Sequence, residues 1–161
     1  MKDAVSFLYL SGWRVSEMRS LEWKYVDLNG RVVRLDPQLS KNKKGRVLPL
    51  LGESAEIIDR VSTKRLLDCL FVFHRGGRRL KDLRSAWQAA CKKAGLSGQL
   101  VHDLRRTAVR NLVRAGISEK VTMELTGHKT RSVFDRYNIV SESDLRNAVG
   151  RVNISTGSLR P

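Results

Sequence analysis

Val101-His102-Asp103-Leu104-Arg105-Arg106-Thr107-Ala108-Val109-Arg110-Asn111-Leu112-Val113 is the segment that sets the class of structure. Leu104, Ala108, Leu112 and Val113 recur at helical spacing and form one apolar stripe, which Ala115-Gly116 closes at the C-terminal end. His102 stands at the start of that helix, three residues before Arg105. This spacing puts both side chains on one face, where they reach a single anionic group near the helix N-terminus. Taken alone, the pair fits the start of any surface helix in a basic protein equally well.

Downstream the chain stays helical. Ser118 reads as the N-cap of a helix running through Leu125 and ended by Gly127. His128 follows in a turn, Tyr137 lies nine residues further on, and Ser141 to Asp144 has the capping-box pattern ahead of Leu145 to Val149. The tail Asn153 to Pro161 is small and polar and is expected to be flexible, leaving 1–152 as the domain.

Upstream, helical periodicity runs from Lys81 to Ala94 and from Ala55 to Val61, with a short apolar strand between them at Leu70 to Phe73. Val32, Val33 and Leu35 pair with Val47, Leu48 and Leu50 as a hairpin, whose tip Lys41-Asn42-Lys43-Lys44-Gly45-Arg46 is basic. From Arg14 to Trp23, Val15, Met18 and Leu21 fall at helical spacing, with Ser16 as the candidate N-cap. Ala4 to Leu10 is apolar almost throughout and abuts Met1 without a cap, so its covering partner is expected upstream of residue 1, as in a truncated domain. The expected fold class is α+β and mainly helical, with a small antiparallel sheet of three strands at one edge.

The 161 residues suffice for one domain with a real core, and 41% hydrophobic with 29% charged residues is the balance of a globular protein. Thirty-one Lys and Arg against 16 Asp and Glu leave a net charge of +15. A folded domain so basic repels itself, which implies a polyanionic partner, nucleic acid ahead of an anionic membrane. Membrane anchoring has no further support, because no apolar run approaches the roughly 18 residues of a span and the start lacks the pattern of a signal peptide. Two cysteines, Cys69 and Cys91, make no disulfide framework and read as buried thiols of a reducing, intracellular setting.

The sequence has no carboxylate cluster for two metals, no paired Cys-x-x-Cys elements, no phosphate-binding Gly-rich loop and no Gly-x-Ser-x-Gly elbow. Chemistry on nucleic acid would then rest on cations, histidines and a hydroxyl, with no metal and no cofactor. His74, in His74-Arg75-Gly76-Gly77-Arg78-Arg79, reads as part of a solvated basic turn. Arg14 beside Glu17 reads, by itself, as an ion pair at helical spacing worth a few tenths of a kcal/mol.

Gly12-x-Arg14-x-Ser16-Glu17-Met18, then His102-x-x-Arg105, then Gly127-His128 with Tyr137 nine residues on, resemble in order and interval the three boxes of the tyrosine recombinases, the phage-type integrases. The hairpin Ser40 to Leu50 looks like that family's β2-β3 hairpin and puts its catalytic lysine at Lys41. The resemblance spans about residues 5 to 150. It departs from the family in lacking roughly two dozen catalytic-domain residues before Arg14 and the separate DNA-clamping domain. Arg106 stands where many members have a second histidine, which keeps the positive charge.

What the resemblance implies is attack by the Tyr137 oxygen on a DNA phosphodiester, giving a 3′-phosphotyrosyl enzyme and a free 5′-hydroxyl, then strand exchange without metal or ATP. Residue types fit this chemistry. Arg14 and Arg105 offer paired donors to the non-bridging oxygens. A tyrosine ordinarily ionises only near about pH 10, so it needs a base, for which His102 is the candidate. His128 is the candidate donor to a non-bridging oxygen, Lys41 the proton source for the leaving 5′-oxygen, and Glu17 the group that orients Arg14 or a histidine. Lys43, Lys44 and Arg106 are expected to touch DNA phosphates. Tyr9 and Tyr25 are expected in the core.

The implied partner is double-stranded DNA, bound by a tetramer in the full-length enzyme, with this fragment a monomer. The implied setting is the cytoplasm, at the nucleoid, for a bacterial or phage-type enzyme of a mobile element. The rivals are DNA relaxation by a type IB topoisomerase and a non-catalytic DNA-binding fragment. Box spacing and the Gly127-His128 context favour the recombinase.

Overall fold

The computed structural model describes residues 1–40 and 43–157. Eight helices surround a small three-stranded sheet among these residues. Helix α1 (Lys2–Ser11) buries Ala4, Phe7, Leu8 and Ser11, one face at helical spacing. That face is covered from within the chain, by α3 (Glu53–Ser62) and by α5 (Asp103–Arg114). Phe7 meets Trp13 edge to face at 5.6 Å between ring centres and Phe73 at 5.2 Å, which fixes α1 on the core. Gly12 ends α1 in the left-handed conformation.

Helix α2 (Val15–Arg19) is shorter than its periodicity suggests, and its N-cap is Arg14, where Ser16 was expected. The reason is local hydrogen bonding. Glu17 accepts the backbone N–H of Arg14 at 2.8 Å, so the helix starts two residues early. It stops because Leu21 and Trp23 pair with another segment, Val72 N donating to Leu21 O and Trp23 N to Leu70 O, both at 2.9 Å.

The sheet orders β1 (Val26–Asp27), β2 (Val32–Leu35) and β3 (Arg46–Pro49), all antiparallel, with Val33 opposite Leu48. Its third strand is thus β1. Leu70 to Phe73, read as a strand, contributes only an isolated bridge between Phe71 and Glu22. β4 (His74–Arg75) and β5 (Arg78–Arg79) make a separate two-residue hairpin over the Gly76-Gly77 turn. Cys69 and Cys91 are buried free thiols, as expected.

Helix α4 (Arg84–Lys93) precedes the C-terminal group. There α5 packs on α6 (Glu119–Thr126), which in turn meets β3. The caps of α6 are those expected: Ser118 accepts from Val121 N, and Gly127 takes a left-handed φ of 73°. A short α7 (Arg131–Asp135), capped by Thr130, inserts between His128 and Tyr137. Helix α8 (Glu142–Gly157) begins where Ser141 and Asp144 exchange hydrogen bonds, and its backbone continues past Asn153, where the sequence ended the domain. Once a capped turn is formed, each added residue extends a helix at little further cost, so polar composition alone does not stop it.

Among the described residues no helix is long and apolar enough to cross a membrane.

Candidate active site

The His-x-x-Arg helix places its two named side chains differently. His102, just before α5, stays exposed, and its Nε2 lies 2.8 Å from the Tyr137 hydroxyl. Arg105, one turn inside, is 3% exposed. Its Nη1 donates to the carbonyls of Gly12 at 2.5 Å and Thr126 at 2.6 Å, the C-terminal ends of α1 and α6. The Arg105 guanidinium also lies 5.8 Å from the centre of the Tyr137 ring. Tyr137 is carried to this point by α7, whose buried Phe134 sits edge-on to His128.

Arg14 is held on three sides. Its Nη1 pairs with Glu17 Oε1 at 2.8 Å, its backbone N–H reaches the other carboxylate oxygen, and Nη2 donates to Gly127 O at 3.3 Å. Glu17 is fully buried, and its second cationic partner is one that the sequence did not single out. Arg46, at the start of β3, donates from Nη2 to Glu17 Oε2 at 2.5 Å and from Nη1 to Thr126 O at 3.0 Å, with its guanidinium 5.4 Å from the centre of the Trp13 ring. So Glu17 pairs with both Arg14 and Arg46, and no histidine is among its partners in the described residues. The signal for Arg46 was present: strand alternation puts it in phase with Leu48 and Leu50, on the buried face.

His128 is 7% exposed, and its ring is close to Tyr137, 4.6 Å between centres. Arg105 Nη2 stands 3.1 Å from its Nε2 and 3.5 Å from its Nδ1. A donor aligned with one nitrogen's lone pair would be much farther from the other, so the guanidinium lies over the ring face. Nδ1 is 2.7 Å from the Thr126 hydroxyl.

These surroundings set the protonation states. Burial, then the charges of Arg105 and Arg14, hold His128 down to about 3, so it is neutral. His102 is also lowered, by lost hydration first and then by Arg105 and Arg106, so it is neutral, and in the Nδ1–H tautomer its Nε2 can accept the Tyr137 proton. Burial and the Arg14 charge bring Arg105 down to about 10, still charged at neutral pH. Arg46 is lowered by burial, with Glu17 opposing.

Five of the six expected catalytic residues, Arg14, His102, Arg105, His128 and Tyr137, converge. Lys41 lies outside the described residues. Lys43 and Lys44 are exposed, Lys44 sharing a concavity with His128, and Arg106 is exposed and paired with Asp103 at 3.2 Å. Tyr9 is not a core residue. It is 40% exposed, and its hydroxyl accepts from Asn111 Nδ2 at 3.0 Å, away from the site. Tyr25 is half-buried, its hydroxyl donating to Asp36 at 2.5 Å.

Two concavities flank the site. One, of about 280 Å³, has Lys44, Arg46, Lys120, His128, Lys129 and Arg131 in its wall. The other, of about 700 Å³, includes Arg19, Lys81, Arg84, Trp87 and His102.

Helices around a small sheet, with a tyrosine hydroxyl held by a histidine beside buried arginines, define a recombinase-type catalytic domain. The chain belongs to the phage integrase family, whose model matches residues 1–144. It is 25% identical to the integrase of Salmonella phage P22 over 173 residues, covering 100% of this chain and 44% of that protein. It is 30% identical to tyrosine recombinase XerC of Corynebacterium efficiens over 150 residues, covering 89% and 47%. XerA recombinase shares its fold with a TM-score of 0.77 at 22% identity, over 92% of this chain and 56% of that one. A lambda integrase dimer bound to a COC′ core site does so at 0.69 and 22%, over 85% and 51%. The chain spans about half the length of the curated relatives it matches.

Proposed function

We propose that this domain breaks and rejoins DNA strands in site-specific recombination, with Tyr137 as the nucleophile. The observation that carries the reading is the 2.8 Å contact between Tyr137 Oη and a neutral His102 Nε2, beside the positive charge of Arg14 and Arg105. In the first step the Tyr137 oxygen attacks phosphorus while its proton passes to His102. The bond to the 5′-oxygen breaks, and that oxygen takes a proton, in this proposal from Lys41. Charge building on the non-bridging oxygens is met by the guanidinium donors of Arg14 and Arg105 that their carbonyl and carboxylate anchors leave over. One phosphodiester is exchanged for another, so a 5′-hydroxyl from a second strand reseals the break without an energy cofactor.

The partner in this reading is duplex DNA, held by Lys43, Lys44 and Lys129 and by other exposed cations around both concavities, with salt-dependent affinity. Four copies act together on two duplexes in the cytoplasm, while the chain alone is a monomer. Sedimentation without DNA checks the last point; a stable tetramer refutes it.

Suicide duplexes nicked within candidate sites test the chemistry. A covalent adduct on denaturing gels is expected, absent in Tyr137→Phe, with DNA affinity unchanged. No Tyr137-dependent adduct, in this chain or in a longer one containing it, overturns the enzymatic reading. Relaxation of supercoiled DNA without exchange of partners assigns a topoisomerase instead.

A further inference from the structure

Thr126 is fully buried at the last turn of α6, in none of the recombinase boxes, yet three of the site's side chains meet on it. Its backbone carbonyl accepts from Arg105 at 2.6 Å and from Arg46 at 3.0 Å. Its hydroxyl lies 2.6 Å from the Thr122 carbonyl and 2.7 Å from His128 Nδ1. A carbonyl has no proton, so the single hydroxyl proton of Thr126 must point at Thr122. What remains at Oγ1 is a lone pair, and the group facing it has to be a donor. Nδ1 of His128 therefore carries the ring proton.

We propose that Thr126 is a positioning residue that locks His128 in the Nδ1–H tautomer and leaves Nε2 bare. The lock has a chemical consequence for the reading above, on which this part alone rests. With Nδ1 permanently occupied, any proton that His128 takes up when an anionic phosphate enters must go on Nε2. Donation to a phosphate oxygen then requires uptake of a proton, and Thr126 decides which nitrogen receives it. The guanidinium over the ring face fits this assignment, because a cation stacks better on a neutral ring than on an imidazolium.

Nitrogen-15 spectra of the full chain read the tautomer directly, with His128 assigned by its loss in His128→Gln. In the wild type we expect a protonated-type shift at Nδ1 and a bare, pyridine-like shift at Nε2. Thr126→Val keeps the shape and removes the acceptor, so the Nδ1 signal should lose its N–H character. Thr126→Ser keeps the hydroxyl and should restore it. Single-turnover cleavage should fall at least about tenfold in Thr126→Val, recover in Thr126→Ser, and leave DNA affinity unchanged. An Nε2–H tautomer in the wild type, or an unaltered one in Thr126→Val, overturns the proposal. If Thr126→Val fails to fold, the wild-type and Thr126→Ser spectra still decide it. The spectra do so whether or not the protein cleaves DNA, which separates this test from that of Tyr137.

Discussion

Replacing Arg46 by Met tests whether the buried network beneath the site is structural in the way its geometry indicates. The Arg46 side chain is 4% exposed and Glu17 is 0% exposed, at 2.5 Å from each other. Removing one partner of such a pair costs about 3–5 kcal/mol, because the other charge is left buried. Glu17 keeps two of its donors, the Arg14 side chain and backbone N–H, both at 2.8 Å, and Thr126 O keeps Arg105. Met fills most of the volume against Trp13. The loss should therefore sit at the low end, about 3 kcal/mol. For a chain of this length that lowers Tm by about 6–12 °C. Urea unfolding followed by circular dichroism measures it, with Arg31→Met as control. The Arg31–Asp59 pair is half-exposed at 2.7 Å and its loss should cost about 0–1 kcal/mol. Adding Glu17→Gln to Arg46→Met should cost much less than the sum of the single changes. A loss below about 1 kcal/mol in Arg46→Met, or strict additivity, refutes the buried network as a source of stability.

Gly127→Ala should perturb the same network from the other side: φ is 73°, and an added Cβ would coincide with Arg46 Nη1. A destabilisation exceeding the roughly 1–2 kcal/mol of the left-handed backbone alone is expected in urea, and a smaller one means Arg46 moves aside freely. His128 titrates near about 6.5 when unfolded and at about 3 when folded. Within that window only the unfolded chain binds the proton, so stability falls as pH falls, by up to about 1.4 kcal/mol per pH unit. His128→Gln should flatten the slope between about pH 6.5 and 4.5, and an unchanged slope argues against a neutral buried ring. Tyr9→Phe should leave adduct formation intact and change stability within about 0.5 kcal/mol; loss of the adduct would bring Tyr9 into the chemistry.

The elements legible in the sequence are those that local rules specify. Ser118 and Gly127 bound α6, Ser141 and Asp144 start α8, and the apolar Val32, Val33 and Leu35 mark β2. Local rules failed where a distant partner decides. Leu70 to Phe73 has strand composition, but its pairing stops at one bridge between Phe71 and Glu22, held by Trp23 N donating to Leu70 O and Val72 N to Leu21 O. Within the site, Arg14, His102, Arg105, His128 and Tyr137 were readable through their motif spacing. Arg46 was hidden by its place beside three lysines and a glycine, which reads as a solvated basic tip. Thr126 was hidden because a threonine inside a helix ordinarily turns its hydroxyl on its own backbone, and that hydrogen bond is indeed there. The left-handed turn at Gly127 brings His128, two residues on, to the same hydroxyl as a second partner.

The choice of anchors explains how three guanidinium groups are held beside one another without losing their charge. Arg105 is bound by Gly12 O and Thr126 O, Arg46 by Thr126 O, and Arg14 by Gly127 O. All three carbonyls belong to the C-terminal ends of α1 and α6, where main-chain acceptors lack helical partners and the helix dipole is negative. Carboxylates in those places would hold the arginines as firmly but neutralise them. Here one carboxylate, Glu17, faces Arg14 and Arg46 together, so the cluster keeps a net positive charge with which to attract a phosphate. The same arrangement disfavours protonation of His128 and His102, since the uncompensated charge that draws in an anion also repels a proton. In the proposed reaction, a neutral base at Tyr137 and a cationic site for the phosphate thus have one physical origin. Any substitution that brings a second carboxylate against Arg105 should raise both histidines and weaken phosphate binding together.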